Sequence, residues 1–320
     1  MKFSVLGSGR WGSFIAWYLD KIGNKVTLWG KPTSEKIQKL IETRKNEYVT
    51  IPDSIKLSTN LDETIQNSDY IVISISSQGL RGLAEEIKKI EGFETKSYIL
   101  CMKGVEKTTG SRLSTILIES GFPESNVAVW VGPGHIQSFV SEIPSVMIID
   151  AYNDNLSKFL ATNLRSDLIR FYQGKDIIGS EIGAAAKNVM GLAAGLLDGM
   201  GYSTLKGGLM ARGSREVSRL IEACGGNPLS AYGLCHLGDY EATLFSEFSH
   251  NRKWGELFAK DQLFDKLAEG VDTSEALLKL ASKHNVELPI TKTVYDVIHK
   301  NITKQEAIKQ LFDRDNLYEF

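Results

Sequence analysis

Two features of this sequence could do chemistry: a glycine cluster near the N-terminus and a lysine among small residues near position 187. The cluster is Gly7-Ser8-Gly9-Arg10-Trp11-Gly12, which follows the apolar run Lys2–Leu6 and precedes a helical pattern. In that context the first glycine allows a tight turn, the second lets the backbone approach a pyrophosphate, and the third permits close helix–strand packing. Exposed N–H groups at the helix start would bind the anion. The segment therefore predicts a dinucleotide-binding turn.

The end of the second predicted strand bears on the choice of dinucleotide. A site selective for NAD usually has Asp or Glu there, about 20 residues after the glycines, to bond the ribose 2′-hydroxyl. This sequence has Leu28-Trp29-Gly30-Lys31 instead. Because no carboxylate stands there and Lys31 could attract a 2′-phosphate, we expect NADP to be tolerated beside NAD. Lys31 could equally be a solvated surface lysine, so the preference between the cofactors stays open.

Lys187 lies in a helical pattern whose other residues are small or apolar. At 100° per residue, one narrow stripe contains Gly183, Lys187, Gly191, Gly195 and Asp198. A lysine on such a face is partly desolvated, which lowers the pKa of its amine and suits it to act as an uncharged general base. The alternative is a lysine whose amine extends past the small residues into solvent. Spacing alone does not distinguish the two.

Two further loops follow predicted strands. Lys103-Gly104 comes directly after Tyr98–Met102, and Gly132-Pro133-Gly134-His135 comes after Val127–Val131. In doubly wound sheets, ligands bind outside the carboxyl ends of the strands, so we expect both loops to converge on one rim. Each loop alone could also be an ordinary strand-to-helix connection.

A last segment suggests an anion site. Leu237-Gly238-Asp239 is followed ten residues later by Ser249-His250-Asn251-Arg252-Lys253-Trp254-Gly255. Ser249 is a good N-cap, and the N–H groups after it, beside basic side chains, could hold a phosphate. The alternative is a capped basic helix start that faces solvent.

The elements that must position these residues indicate an α/β protein. A length of 320 residues predicts about two domains. Short apolar runs alternate with helical patterns in the first half, which is typical of a Rossmann-like, doubly wound and mostly parallel sheet. We predict strands at Lys2–Leu6, Lys25–Trp29, Tyr70–Ser74, Tyr98–Met102, Val127–Val131, Ser145–Asp150 and Ile169–Tyr172, and helices at Trp11–Lys21, Leu80–Ile90, Ser111–Glu119 and Asn155–Leu164.

The pattern changes near residue 177, and from Glu181 onward only helical periodicity is found. We therefore predict a dinucleotide-binding domain over residues 1–178 and an all-α substrate-binding and catalytic domain over residues 179–320. The predicted helices are Gly183–Asp198, Leu209–Ala223, Arg252–Leu257, Thr273–Ser282, Ile290–His299 and Lys304–Phe312.

Composition argues against several other classes of protein. The 37 basic and 39 acidic residues give a formal charge of −2, so no global field favours nucleic acid or an anionic membrane. No apolar stretch approaches the ~20 residues of a membrane span, and no signal-peptide pattern is present. Cys101, Cys224 and Cys235 match neither a disulfide framework nor a zinc site. We expect a cytoplasmic protein with reduced thiols, no metal, and a small-molecule substrate rather than a nucleic acid or membrane partner.

These residues resemble the cytoplasmic NAD(P)-dependent glycerol-3-phosphate dehydrogenases of bacterial type, over essentially the whole chain. The shared landmarks occur in the family's order: Gly7–Gly12, Leu28-Trp29, Lys103-Gly104, Gly132-Pro133, Gly183–Asn188, Arg212-Gly213, Leu237–Asp239, Ser249–Gly255, Glu269-Gly270 and Leu288-Pro289-Ile290. The resemblance implies interconversion of sn-glycerol 3-phosphate and dihydroxyacetone phosphate with NAD or NADP. It also implies a homodimer and a supply of the glycerophospholipid backbone.

The resemblance also implies roles for individual residues. Lys187 is similar to the family's base for the C2 hydroxyl proton, and Lys103 and Asp239 to its substrate-positioning groups. The implied cofactor-binding residues are Gly7, Ser8, Gly9, Arg10, Trp11, Gly12, Lys31, Lys103, Ile136, His250 and Glu269. The implied substrate-binding residues are Lys103, Gly132, Gly134, Lys187, Asp239, Ser249, His250 and Asn251.

Three positions depart from the family's pattern. His250 replaces the usual Arg and so loses a permanent charge that Arg252 or Lys253 could restore, Gly134 replaces Ser or Thr, and Thr204 replaces Asn. These departures bear on phosphate affinity, substrate identity and cofactor choice. They leave two alternatives: a related two-domain dehydrogenase of another hydroxy acid or polyol phosphate, and a cofactor-binding sensor without turnover.

Overall fold

The computed structural model describes residues 1–313, and the chain divides into two compact units. The first unit comprises Met1–Lys103 and Arg112–Glu181, and the second comprises Gly104–Ser111 together with Ile182 and the residues after it. The sequence did not indicate that Gly104–Ser111 belongs with the helical unit. The boundary after residue 178 stays a prediction.

The first unit contains an eight-stranded sheet, which confirms the predicted fold class. Its strand order is β3-β2-β1-β4-β5-β6-β7-β8, and every pair is parallel except β6 with β7. All seven predicted strands are present. Only the three-residue β3 was missed, because it holds a single apolar residue and forms no apolar run. The strands are Lys2–Leu6 (β1), Lys25–Trp29 (β2), Lys56–Ser58 (β3), Tyr70–Ile73 (β4), Ser97–Leu100 (β5), Val127–Val131 (β6), Ser145–Ala151 (β7) and Ile169–Gln173 (β8).

The core of this unit consists of two apolar clusters. Within β4, Val72 joins one cluster, whereas Ile71 and Ile73 join the other. Because successive residues of a strand point to opposite faces, the two clusters lie on opposite faces of the sheet. A strand buried on both faces has a continuous apolar run, and all five residues of β6 are buried.

Seven helices belong to this unit, and four of them were predicted. Of the three that were missed, Leu61–Gln66 and Ile136–Val140 have only six and five residues, and only three of the nine residues of Glu35–Thr43 are apolar. The helices are Arg10–Lys21 (α1), Glu35–Thr43 (α2), Leu61–Gln66 (α3), Leu80–Ile87 (α4), Leu113–Glu119 (α5), Ile136–Val140 (α6) and Asp154–Asn163 (α7).

The second unit is helical, and no strand occurs in it up to residue 313. The first helix begins at Ile177 rather than at the predicted Gly183, and its residues up to Glu181 belong to the first unit. The helices are Ile177–Gly199 (α8), Lys206–Ala223 (α9), His250–Ala259 (α10), Gly270–Lys283 (α11), Pro289–Ile298 (α12) and Lys304–Phe312 (α13). No helix within residues 1–313 is long and apolar enough to span a membrane.

The segment Gly104–Ser111 packs against α11. The Lys107 amine lies 2.9 Å from the Asp272 carboxylate, and the Lys279 amine donates to the Lys107 carbonyl oxygen at 2.8 Å. Gly110 has a φ of +71°, and a Cβ there would lie 3.0 Å from the backbone nitrogen of Leu280. These contacts explain why a loop between two strands is assigned to the helical unit.

Gly195, from the predicted stripe on α8, and Gly199, one turn further along the helix, form a helix-packing surface. A Cβ on Gly195 would lie 2.0 Å from the Arg252 carbonyl oxygen, and one on Gly199 would lie 2.5 Å from the Cβ of Ala259. From the other side, a Cβ on Gly255 would lie 2.3 Å from the Leu192 carbonyl oxygen. The absence of side chains therefore lets α8 and α10 approach closely.

Candidate active site and cofactor turn

The glycine-rich turn of the first unit has the predicted geometry. Gly7 has a φ of +120°, and a Cβ there would lie 2.2 Å from the Ser74 carbonyl oxygen. A Cβ on Gly12 would lie 1.9 Å from the Gly7 carbonyl oxygen. By contrast, apart from Gly9 itself and its two chain neighbours, no described atom lies within 4 Å of the position that a Cβ on Gly9 would take. The outer glycines thus permit the fold, and the middle one borders open space.

The start of α1 suits an anion. Gly9 occupies the N-cap position and has no side chain that could accept a bond from the first N–H groups. The first turn, Arg10 to Ser13, carries no acidic residue, and its first intrahelical bond runs from the Ser13 N–H to the Gly9 carbonyl. The remaining N–H groups at a helix start attract negative charge. The turn therefore fits the pyrophosphate of a dinucleotide.

The other predicted residues of this turn differ in exposure. Ser8 is buried, and Arg10 is exposed with its guanidinium 5.8 Å from the Tyr48 ring centre. Trp11 is half-buried and packs against the Phe14 and Phe139 rings at centroid distances of 5.2 and 6.2 Å. Trp11 therefore has a packing role whatever else it contacts.

Lys31 follows β2 and is exposed. Its amine lies 3.3 Å from a carboxylate oxygen of Glu86, on α4. The sequence has no carboxylate at the end of β2, but the fold brings the Glu86 carboxylate to Lys31 from 55 residues away. Exposed ion pairs are weak, so this pair leaves the Lys31 amine available to other anions.

The loops after β5 and β6 meet as predicted. The Lys103 amine donates to the Gly132 carbonyl oxygen at 2.7 Å, and Gly132 has a φ of +129°. Gly134 also has a positive φ of +151°, and a Cβ there would lie 2.4 Å from the Phe139 ring. The backbone conformation and this ring explain why the chain has glycine at position 134. Ile136 is buried where α6 begins.

Lys187 is buried, and its amine is held by two side chains. The Nζ atom lies 2.6 Å from Asp239 Oδ2 and 3.0 Å from Thr243 Oγ1. The Lys187 side chain is 10% exposed and that of Asp239 only 1%. The amine therefore does not extend into bulk solvent. The sequence did not indicate Thr243, because nothing in its spacing relates it to a helix more than fifty residues earlier.

Irregular helical turns place Asp239 and Thr243. Leu237–Asp239 forms a 3₁₀ turn, and Glu241–Phe245 forms a π-helical turn, a rare geometry that is frequent at functional sites. A Cβ on Gly191, one turn after Lys187, would lie 3.0 Å from Thr243 Cγ2. The small residue therefore lets the π-turn pack directly on α8, beside the amine.

The Ser249 segment begins α10 as predicted. The Ser249 hydroxyl accepts from the Arg252 N–H at 3.3 Å, which confirms the N-cap. The Asn251 amide donates to Asn188 Oδ1 at 3.1 Å and accepts from the Gly270 N–H at 2.9 Å. These bonds fix the orientation of Asn251 relative to α8 and α11.

His250, the first departure, is half-buried. Its Nδ1 atom lies 3.3 Å from the Leu267 carbonyl oxygen, and its ring packs edge-on against Phe264. Glu269 immediately precedes α11 and is also half-buried. Thr204 is exposed in the short 3₁₀ turn Ser203–Leu205.

Arg252 is committed to an ion pair on α8. Its Nε atom lies 2.7 Å from Asp198 Oδ2, and the Lys206 amine binds the same carboxylate at 2.9 Å. Burial opposes ionisation of Asp198, but bonds from Lys206, Ser203 and Arg252 lower the pKa of its carboxyl overall. Lys253 pairs with Glu256 at 3.3 Å. Arg252 and Lys253, which could restore the positive charge lost at His250, thus both have carboxylate partners.

Comparison with known proteins covers both units. Residues 2–157 match the family described as NAD-dependent glycerol-3-phosphate dehydrogenase N-terminus, and residues 176–309 match the corresponding C-terminus. Glycerol-3-phosphate dehydrogenase [NAD(P)+] of Thermoanaerobacter sp. is 33% identical over 332 residues, covering 100% of this chain and 99% of that protein. The Fusobacterium nucleatum protein of the same name is 34% identical, covering 100% and 98%.

A solved structure agrees with these matches. The crystal structure of glycerol-3-phosphate dehydrogenase from Coxiella burnetii superimposes with a TM-score of 0.89 at 26% identity, covering 98% of this chain and 99% of that one. Because both family regions match and the similarity runs from end to end, the chain belongs to the NAD-dependent glycerol-3-phosphate dehydrogenase family.

Proposed function

We propose that this protein is an NAD(P)-dependent glycerol-3-phosphate dehydrogenase that interconverts sn-glycerol 3-phosphate and dihydroxyacetone phosphate. The observation that carries the proposal is the buried Lys187 amine held by Asp239 and Thr243, in a chain of this family. Oxidation of an alcohol needs a group that takes the hydroxyl proton, and reduction of a ketone needs one that returns it. A buried amine paired with a carboxylate can do both.

In the direction of reduction, Lys187 acts as the acid. The nicotinamide cofactor, when bound, would supply the hydride for the C2 carbonyl carbon. The Lys187 ammonium donates a proton to the C2 oxygen, which becomes the hydroxyl of glycerol 3-phosphate. In oxidation the amine takes that proton. Asp239 holds the amine at 2.6 Å and compensates its positive charge in a site where an isolated charge would be costly.

The remaining residues bind and orient. We assign the substrate to Lys103, Gly132, Gly134, Asp239, Ser249, His250 and Asn251, besides Lys187. The N–H groups after the Ser249 N-cap suit the substrate phosphate, because a helix start attracts anions. Lys103, whose amine donates to the Gly132 carbonyl, carries a positive charge that suits the oxygen that gains negative charge at C2.

The residues assigned to the cofactor lie mainly in the first unit, with His250 and Glu269 in the second, and either NAD or NADP is accepted. We assign the pyrophosphate to the turn Gly7–Gly12, and further cofactor contacts to Lys31, Lys103, Ile136, His250 and Glu269. The open space beside Gly9 and the exposed amine of Lys31 support this assignment. The preference between the two cofactors depends on how strongly Lys31 attracts a 2′-phosphate.

The family resemblance extends the proposal to assembly and role. We propose a cytoplasmic homodimer whose product supplies glycerophospholipid synthesis. Sedimentation equilibrium of the purified protein tests the dimer, and cell fractionation tests the location. A monomer at micromolar concentration would contradict the assembly but not the activity.

The central experiment is a substrate panel with purified protein. Oxidation of NADH and of NADPH is followed with dihydroxyacetone phosphate, free dihydroxyacetone, ketopantoate and simple 2-oxo acids. We expect the rate with dihydroxyacetone phosphate to exceed all others by far. Equal rates across the panel would favour a related dehydrogenase of another substrate. A wild-type rate no higher than that of Lys187→Ala would favour a sensor without turnover.

A further inference from the structure

We propose that His236, with Tyr240, is a positioning residue that holds Asp239 against Lys187. The inference rests on the proposed function, since it concerns the pair to which proton transfer is assigned. Neither His236 nor Tyr240 is among the residues that sequence analysis selected. Both are fully buried in the helical unit, immediately around Asp239.

The His236 ring spans two elements. Its Nδ1 atom lies 2.9 Å from the Gly183 carbonyl oxygen on α8, and its Nε2 atom lies 2.6 Å from the Tyr240 hydroxyl. His236 directly precedes the 3₁₀ turn that ends in Asp239, and Tyr240 directly follows it. The imidazole therefore fastens both ends of this turn to α8.

The partners determine which nitrogen carries the proton. A carbonyl oxygen can only accept, so Nδ1 carries the hydrogen and donates to Gly183. Nε2 then has only a lone pair, and it accepts from the Tyr240 hydroxyl. Both ring nitrogens are satisfied in a single neutral tautomer. Burial lowers the pKa of His236 to about 4 and raises the pKa of Tyr240 above its usual value, so both stay uncharged near neutral pH.

The attachment point on α8 is close to the reacting amine. In an α-helix the carbonyl of residue i accepts the N–H of residue i+4, so the Gly183 carbonyl also accepts the Lys187 N–H. One oxygen thus binds the backbone of the lysine and the imidazole next to the aspartate turn. A Cβ on Gly183 would lie 3.1 Å from the His236 Cβ, so a small residue is needed for this approach.

The first test measures how firmly Lys187 is held, without using activity. Lysines are reductively methylated with formaldehyde and borohydride, and mass spectrometry gives the rate at each site. Lys206 is the internal control, because it is equally buried at 8% exposure and its ion pair is with Asp198 on α8. Its amine also contacts Leu244 and Phe245 of the π-helical turn, so it reports any opening of that turn as a whole. In His236→Ala we expect methylation of Lys187 to be at least about threefold faster, through local opening, and that of Lys206 to be unchanged.

Two further variants separate positioning from general stability. In His236→Asn, whose amide can replace the Nδ1 donor to Gly183, we expect Lys187 to return towards its wild-type rate. Tyr240→Phe should speed methylation of Lys187, whereas Tyr98→Phe should not. Tyr98 is the matched control, since its buried hydroxyl donates to the Phe93 carbonyl at 2.8 Å in the first unit. If His236→Ala does not fold, Tyr240→Phe and His236→Asn test the positioning role instead.

Kinetics provides the second readout. In His236→Ala we expect kcat for dihydroxyacetone phosphate reduction to fall about tenfold or more, since small misplacements of a reacting group are costly, with KM for the cofactor unchanged. The proposal is overturned if Lys187 and Lys206 accelerate equally, or if neither Lys187 methylation nor kcat changes. An inactive wild type would instead refute the proposed function, and the methylation rates would still decide the positioning role.

Discussion

The glycine-rich turn and the lysine site are built in opposite ways. The turn occupies six consecutive residues, and its usable surface is backbone: one glycine with a φ of +120°, one beside open space and one against a neighbouring carbonyl. The lysine site is built from side chains that lie more than fifty residues apart in sequence. Its charges are buried, and each depends on a partner from another element.

This difference determines how each site fails. A backbone site is damaged by adding atoms, because an added Cβ fills space that the fold or the ligand needs. A buried ionic site is damaged by removing atoms, because the remaining charge then lacks compensation. Substitutions can therefore test each site in the direction to which it is sensitive.

The largest expected effect comes from removing the amine of the lysine site. Lys187→Met should lower kcat for dihydroxyacetone phosphate reduction by about 10²–10⁴, the usual contribution of a general acid. Cofactor affinity should be unchanged, because the glycine turn is untouched. Lys206→Met is the matched control, since Lys206 is equally buried and also paired with a carboxylate. Equal losses of kcat in the two variants would mean that Lys187 acts only in stability.

The second and third glycines of the turn, Gly9 and Gly12, should separate binding from folding. Gly12→Ala should lower the free energy of unfolding by about 2 kcal/mol or more, because its Cβ would overlap the Gly7 carbonyl. Gly9→Ala should leave it unchanged and weaken cofactor binding about tenfold, since the methyl group enters the pyrophosphate space. Chemical denaturation and cofactor titration measure these effects. If the Gly9→Ala protein bound the cofactor with normal affinity, the pyrophosphate would not be bound at this turn.

Gly134 tests whether a family hydroxyl can be restored. Gly134→Ser should destabilise the protein by about 1–3 kcal/mol, because the backbone has a φ of +151° and the new Cβ would meet Phe139. Gly121→Ser is the control, since its φ is +94° but no described atom lies within 4 Å of a Cβ there. Urea denaturation compares the two. If the two substitutions lower the free energy of unfolding equally, the contact with Phe139 has no effect on stability.

A smaller effect is expected at the exposed end of the cofactor site. Lys31→Ala should lower the ratio of kcat/KM for NADPH over NADH by about threefold to tenfold, the value of one exposed charge-assisted contact. Glu86→Gln should raise the ratio, because it removes the carboxylate 3.3 Å from the Lys31 amine. Both effects should shrink at high salt. If the ratio of kcat/KM for NADPH over NADH is unchanged in both variants, Lys31 is a surface lysine that does not contact the cofactor.

The smallest expected effect concerns His250. His250→Arg should lower KM for dihydroxyacetone phosphate severalfold or leave it unchanged, because arginine adds a fixed charge near the Ser249 helix start. Initial rates at saturating cofactor give this constant. A tenfold rise would show that the histidine itself, with its contacts to Leu267 and Phe264, has a specific role.

The parts that could be predicted are those with local causes. The seven strands found from the sequence are short segments rich in apolar residues, and the turn Gly7–Gly12 follows one of them directly. The N-cap at Ser249 depends only on the next three residues. β3, α3 and α6 were not predicted because each has at most six residues, and α2 was not predicted because only three of its nine residues are apolar. Contacts with the rest of the first unit stabilise them, and a single stretch of sequence does not show those contacts.

The sequence by itself determined the fold class, the dinucleotide turn and the placement of Lys187 on a stripe of glycines, because these follow from periodicity and from residue size. Only the tertiary structure decided what that stripe contacts. It showed that Asp239 and Thr243 bind the amine, that Asp198 engages Arg252, and that His236 joins the aspartate turn to α8. The physical reason is that burying a charge or an imidazole requires partners in three dimensions, and folding brings them from distant parts of the chain.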